Sequence, residues 1–162
     1  MDQLDRRHQG IKWHRHDDEP VYHYDDPQCA EAVAEIQRRN LPVVLEEELD
    51  HTVRFIKEIA RGVRVILPHL GLLNGGYRAL KRRGIWEIPD VWADTALASP
   101  GEIRAYIDTY GPDRLLFGSD FPFGDPLAEL NKVLDLPYDD NIKRAVIREN
   151  LERLLAGNRT AF

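Results

Sequence analysis

One pattern constrains this chain more than any other: short runs of Val, Ile and Leu alternate with amphipathic helical stretches. Strand-like runs begin near residues 11, 42, 63, 91 and 114. Gly10 to His16 opens the series, and a polar loop follows from Asp17 to Asp25. Asp26-Pro27 starts a helix that runs to about Asn40, with Ala30, Val33, Ala34 and Ile36 on its apolar stripe. Leu41 to Leu45 is the second strand, and Asp50 to Arg61 reads as helix. Val63 to Leu67 is the third strand, closed by Pro68-His69-Leu70-Gly71. Asn74-Gly75-Gly76 breaks the chain before a basic helix from Tyr77 to Arg83. Val91-Trp92-Ala93 is the fourth strand. Ser99-Pro100-Gly101-Glu102 is a capping box that opens a helix ending at Tyr110. The fifth strand, Leu115-Leu116-Phe117, runs into a turn before Asp125-Pro126, an N-cap and first helical position. Ile142 to Leu155 is the closing helix, stopped by Gly157.

Strands separated by helices predict a parallel sheet, because a parallel return requires a crossover long enough to hold a helix. The spacing matches the β/α units of a TIM-type (β/α)8 barrel. Such a barrel takes about 250 residues for eight units, so this chain carries roughly five, as a partial barrel in one domain over 1–162.

Composition narrows the function classes. The net charge of −6, with both signs mixed along the helices, argues against nucleic-acid binding. No apolar run approaches the roughly 18 residues of a membrane span, and no signal peptide is apparent, which makes the cytoplasm the default location. Cys29 is the single cysteine, so any metal would rely on His, Asp or Glu.

The five strands end on ionisable residues: His14 or His16, then Glu46, His69, Asp94 and Asp120. Parallel strands present all their carboxyl ends on one rim, where α/β enzymes place their chemistry. Two imidazoles and two carboxylates there match a divalent-metal hydrolase site with zinc or manganese. Each residue also has a plainer reading. Asp120 could cap its own turn. Glu46 could be a salt-bridged strand end, and Lys12, on the same side as His14, could be its partner. His16 reads equally as a solvated loop residue. Glu47 and Glu48 read as a solvated charged turn, Asp94 as a holder of strand-end backbone, and Lys81-Arg82-Arg83 as a solvated helix end. Trp13, Trp86 and Trp92 read as packing.

Leu67-Pro68-His69-Leu70-Gly71, Trp92-Ala93-Asp94-Thr95, Leu116-Phe117-Gly118-Ser119-Asp120-Phe121-Pro122 and Glu149-Asn150-Leu151 together resemble the amidohydrolase superfamily. The nearest branch is the amidohydrolase-related one that includes aminocarboxymuconate-semialdehyde decarboxylase. The resemblance runs from Gly10 to Leu155. It implies a (β/α)8 barrel with one or two metals at the C-terminal rim. Asp120 falls on the strand-eight acid, which binds metal and handles the proton of the activated water. His69 falls on the strand-six His, which binds metal or polarises the substrate. Glu46 stands where many relatives carry the strand-five His, and His14 lies on a segment like strand four. The implied metal set is therefore Asp120, His69, Glu46 and His14, with zinc first and manganese or iron as alternatives. Asp120 and His69 are the implied catalytic residues. Other branches carry a carboxylated strand-four Lys at the place of Lys12.

The first-strand His-x-His of the family has no counterpart in this sequence, although His14-Arg15-His16 carries the same letters. The resemblance implies metal-dependent hydrolysis of an amide, ester or lactone in a small-molecule substrate. The same site could instead run a non-oxidative decarboxylation. A third alternative is an inactive partial barrel. Activity of the chain by itself stays open at this point. The expected partners follow from the open sheet: a second copy, or a missing N-terminal half, to cover its edges.

Overall fold

A computed structural model describes residues 7–15 and 21–156. The strands are β1 (Ile11–His14), β2 (Val43–Glu46), β3 (Val65–Leu67), β4 (Val91–Asp94) and β5 (Leu115–Leu116). They form one sheet in the order β1-β2-β3-β4-β5, every neighbouring pair parallel. The crossovers carry α1 (Pro27–Arg38), α2 (Leu49–Arg54), α3 (Tyr77–Arg82) and α4 (Pro100–Tyr110). After β5 come α5 (Pro126–Leu134), α6 (Asp140–Arg144) and α7 (Asn150–Ala156). The sequence reading of strand, helix and order holds throughout, and the molecule is an arc of a (β/α)8 barrel. Two predicted helices are less regular than expected: α2 and α6 each run into a π-helical turn, Phe55–Ile59 and Ala145–Glu149. The expected Gly157 stop lies outside the described residues, as does His16.

Alternation along the strands gives the sheet two faces. On one, Val43, Leu45, Val65, Leu67, Val91, Ala93 and Leu115 pack against the helices, and each is almost wholly buried. Trp86 and Tyr106 fill the layer beneath, edge to face at 5.5 Å, with Trp86 Nε1 donating to Tyr77 O. The other face carries Lys12, His14, Val44, Glu46, Ile66, Trp92, Asp94 and Leu116, which share the alternate register. Its apolar half is Ile66, Trp92 and Leu116, covered by Leu154 of α7. Its polar half lies at the strand carboxyl ends. Asn150 fixes α7 by donating to Pro112 O at 2.8 Å and Leu115 O at 2.7 Å, while Arg64, just before β3, donates to Leu154 O. The closing helix thus stoppers the amino ends of the strands and leaves the carboxyl ends to the site.

Candidate active site at the carboxyl rim

The centre of the rim is Glu46, the last residue of β2, with only 8% of its surface exposed. Each carboxylate oxygen is engaged. Lys12 Nζ stands 2.7 Å from Oε1, His69 Nε2 stands 3.3 Å from the same oxygen, and His14 Nε2 stands 3.2 Å from Oε2. The β1–β2 register explains two of these contacts. His14 pairs directly with Glu46, and Lys12 lies two residues earlier on the same face. His69, then Lys12, hold the Glu46 carboxyl down to about 2, against the opposing effect of burial. The salt-bridged reading of Glu46 and its pairing with Lys12 are both observed.

His69 reaches the rim through an unusual piece of backbone. The segment Pro68–Asn74 is a tight helical turn in which His69, Leu70 and Gly71 all have positive φ, at 57°, 48° and 76°. A Cβ at Gly71 would stand 2.1 Å from Leu80 Cδ1, so both the dihedral and the close approach require glycine. Asp94, the last residue of β4, holds this turn: its Oδ1 accepts from His69 N at 2.9 Å and from Ala96 N at 3.0 Å. Burial pushes the Asp94 carboxyl up, opposed by those two backbone donors. Asp94 therefore acts on backbone, as the plainer reading expected. The hydrogen bond to Glu46 raises the His69 imidazole above 6.5, with burial opposing and the Asp94 and Asp120 charges assisting. Its Nδ1 is buried with no hydrogen-bond partner among the described residues, so Nε2 is the nitrogen that faces the rim.

Asp120 enters from the turn after β5, with Oδ2 at 3.9 Å from His69 Nε2 and its side chain about a third exposed. It too has positive φ, 53°. Phe123 N and Gly124 N donate to Asp120 O, and a Cβ at Gly124 would sit 2.1 Å from Ser119 O. The turn is closed by its own backbone, which leaves the Asp120 carboxylate facing His69 rather than capping a neighbour. His14, Glu46, His69 and Asp120 thus lie on one rim, linked pairwise through Glu46 and His69.

These four side chains do not close round a metal ion. Zinc holds nitrogen and oxygen at about 2.0–2.2 Å, which requires three or more donors aimed at one point. Among the described residues no three His, Cys, Asp or Glu side chains are so arranged. His14 and His69 address different oxygens of Glu46, and the oxygen that faces His69 also carries the Lys12 ammonium.

Two features at the rim were not legible beforehand. Glu47 is not a solvated turn residue: it is 2% exposed. Tyr24 OH donates to its Oε1 at 2.8 Å, Tyr22 OH donates to the same oxygen, and Arg15 Nε donates to Oε2 at 2.7 Å. Glu46 faces the site, so the next side chain turns towards the helix layer, where Trp13 and the two tyrosines wait. Glu48 is exposed, as expected. The second feature is Asn74, wholly buried, whose Nδ2 donates to Leu45 O, Glu47 O and Thr52 Oγ1. Around the rim an apolar collar is exposed, with Phe121 and Phe123 at 75% and 83% and Leu72, Leu73 and Leu127 more than half exposed. A cleft of about 270 Å³ opens beside β1, bordered by Lys12, Trp13, His14, Tyr22 and Cys29. No helix among the described residues is long and apolar enough to cross a membrane.

No curated protein sequence matches the chain significantly. Solved structures match its fold. A TIM-barrel protein from Bordetella bronchiseptica superposes with a TM-score of 0.67 at 17% identity, over 85% of this chain and 53% of its own. An amidohydrolase from Burkholderia multivorans with bound zinc gives 0.64 at 20% identity, over 82% and 58%. The 2,6-dihydroxybenzoate decarboxylase from Rhizobium gives 0.61 at 17%, over 87% and 58%. The chain therefore spans somewhat more than half the length of these solved chains. The amidohydrolase family model matches residues 4–156, nearly the whole chain, and the chain belongs to the amidohydrolase family.

Proposed function

We propose that this chain carries the acid–base half of a hydrolase site that cleaves an ester, lactone or amide of a small molecule by attack of water. The observation that carries the reading is the facing pair His69 Nε2 and Asp120 Oδ2, 3.9 Å apart on turns that follow different strands. That separation leaves room for a water oxygen to bridge the two groups. Asp120, a carboxylate about a third exposed that caps no backbone, takes the proton from the attacking water. The hydrogen bond to Glu46 raises the His69 imidazole, and Nε2, its nitrogen at the rim, holds the attacking water against Asp120. The proton held by Asp120 then passes to the leaving oxygen or nitrogen as the tetrahedral adduct collapses. Glu46 positions His69 without touching substrate, and Lys12 neutralises Glu46. The apolar collar suits a substrate whose body is uncharged or aromatic. Because the donors present do not close round an ion, every step assigned here belongs to side chains of the chain itself.

The test is hydrolysis of p-nitrophenyl esters and of simple lactones and amides by the purified, chelator-treated chain. Asp120→Asn is expected to lower the rate by about 100-fold or more, the usual share of a positioned general base. A wild-type rate that survives Asp120→Asn, or no turnover by wild type, would overturn the reading. Decarboxylation is the second reading, favoured by one observation: the half-exposed Lys12 ammonium offers a landing point for a carboxylate beside His69, whose imidazole the Glu46 hydrogen bond raises. His69 would then protonate the ring carbon before carbon dioxide leaves, and gas release from a hydroxybenzoate distinguishes the two. Self-association through the open sheet edge belongs to the same proposal.

A further inference from the structure

We infer that the gap between His69 and Asp120 is set by one packed contact beneath it, the Asp94 carboxylate against the bare backbone of Gly118. Its consequence for turnover rests on the hydrolytic reading, whereas the contact itself stands on geometry. Asp94 meets both turns that carry the facing pair. On one side its Oδ1 accepts from His69 N at 2.9 Å, so the carboxylate fixes the backbone from which the imidazole hangs. On the other side Asp94 pairs with Leu116 in the β4–β5 register, two residues before Gly118. Gly118 N donates to Thr95 Oγ1 at 3.4 Å, and Asp120 follows two residues later.

The contact leaves little slack. A Cβ at Gly118 would stand 3.1 Å from Asp94 Cγ and 3.2 Å from Ala96 Cβ. Both lie inside the roughly 3.5–4.0 Å at which carbon atoms pack best. Gly118 does not have a positive φ, so the close approach, not the backbone conformation, is what favours glycine here. Neither neighbour gives way cheaply. Asp94 Oδ1 also accepts from Ala96 N at 3.0 Å, and Ala96 is 1% exposed. A carboxylate that moved off would forfeit two backbone donors, and a buried charge depends on such donors. A methyl group at Gly118 must therefore shift the 118–120 segment, and with it the Asp120 carboxylate that stands 3.9 Å from His69 Nε2. Asp94 and Gly118 are positioning residues, acting through the two turns.

The test uses the full chain as wild type, Gly118→Ala, Asp94→Ala and Asp94→Asn, the last keeping an acceptor oxygen in place. One arm measures hydrolysis of p-nitrophenyl esters. Gly118→Ala and Asp94→Ala are expected to lower kcat about tenfold or more with KM within about twofold, because misplaced groups cost rate and not binding. Asp94→Asn is expected to recover most of that loss. The other arm is amide NMR and needs no turnover. Asp94→Ala should speed hydrogen exchange at His69 N–H about tenfold or more, as expected when a local hydrogen bond is lost. Gly118→Ala should leave that exchange alone and move the resonances of Asp120, Phe123 and Gly124, whose backbone closes the Asp120 turn. If wild type hydrolyses no ester, the hydrolytic reading fails and the NMR arm decides the contact by itself. Wild-type kcat in Gly118→Ala, unmoved resonances of the Asp120 turn, or unchanged His69 exchange in Asp94→Ala overturns the inference. Should one alanine variant not fold, the other carries the test. In every case a wild-type His69 N–H that exchanges like open chain overturns it as well.

Discussion

At the scale of single residues, the rim is governed by one carboxylate and one imidazole whose protonation states depend on each other. Glu46 is held down to about 2 because His69 and Lys12 both favour its charged form. A carboxyl whose folded value lies below its unfolded one stabilises the fold above the unfolded value and loses that contribution as pH falls through the folded one. Glu46 should therefore give a loss of stability between its ordinary value of 4.5 and about 2. His69 runs the other way. Its raised value stabilises the fold fully below 6.5, and that contribution fades as pH rises through the higher folded value. Urea midpoints measured across both windows should show a decline at each end. Glu46→Gln should flatten both, since it removes the carboxylate and with it the main cause of the His69 shift. An unchanged alkaline decline in that variant would show that His69 is held by something else.

At the scale of elements, Glu47 ties three of them together: β2, which ends beside it, the end of β1 through Arg15, and the segment 21–24 through its two tyrosines. Arg15 also lies over the Tyr22 ring, 4.0 Å from its centroid, and Trp13 Nε1 donates to Tyr22 OH at 2.7 Å. Burial, then the hydrogen bond to Glu47, pushes both tyrosine hydroxyls well above their usual range, so they remain donors at any ordinary pH. Glu47→Ala leaves Arg15 without its buried partner and two hydroxyls without an acceptor, which should cost about 3 kcal/mol. The check is the urea midpoint at constant slope, and a loss under 1 kcal/mol would refute the role.

This network shows where sequence reading stops. Hydrophobic period and helix signals located all five strands and the starts of α1, α4 and α5, because each depends on residues close together in the chain. The Ser99–Glu102 capping box is one such case, and it forms as read. The placement of the strand-end residues was legible too, since parallel strands gather Glu46, His69 and Asp120 on one side. The partners of Glu47 were not, because a triple Glu looks solvated until tyrosines from another segment are folded against it. Asn74 was hidden for the same reason: before Gly75-Gly76 it reads as a turn, whereas its amide donates to Leu45 O of β2, to Glu47 O just after it and to Thr52 Oγ1 of α2. The left-handed His69-Leu70-Gly71 turn left only its glycine as a signal.

At the scale of the whole molecule, an arc of five parallel strands has two sides to protect. On the β5 side protection is partly built in, since Phe117 N donates to Val146 O of the closing helical segment at 2.9 Å. On the β1 side, no strand other than β2 lies beside β1 among the described residues. A strand edge with no neighbouring strand is a template for another chain, and a lysine such as Lys12 on it blunts open-ended stacking more than it blocks one specific partner. Exposed aromatic rings Phe121 and Phe123 at the rim add apolar surface that water solvates poorly. A second copy meets both needs in a closed, two-fold arrangement, in which the same edge serves both partners and assembly ends at two. The expected outcome is a dimer in multi-angle light scattering at micromolar concentration, dissociating on dilution. A scattering mass that stays at the 18.7 kDa of one chain across that range would overturn it. Open-ended growth would instead show that the Lys12 guard fails and that β1 recruits strands without limit.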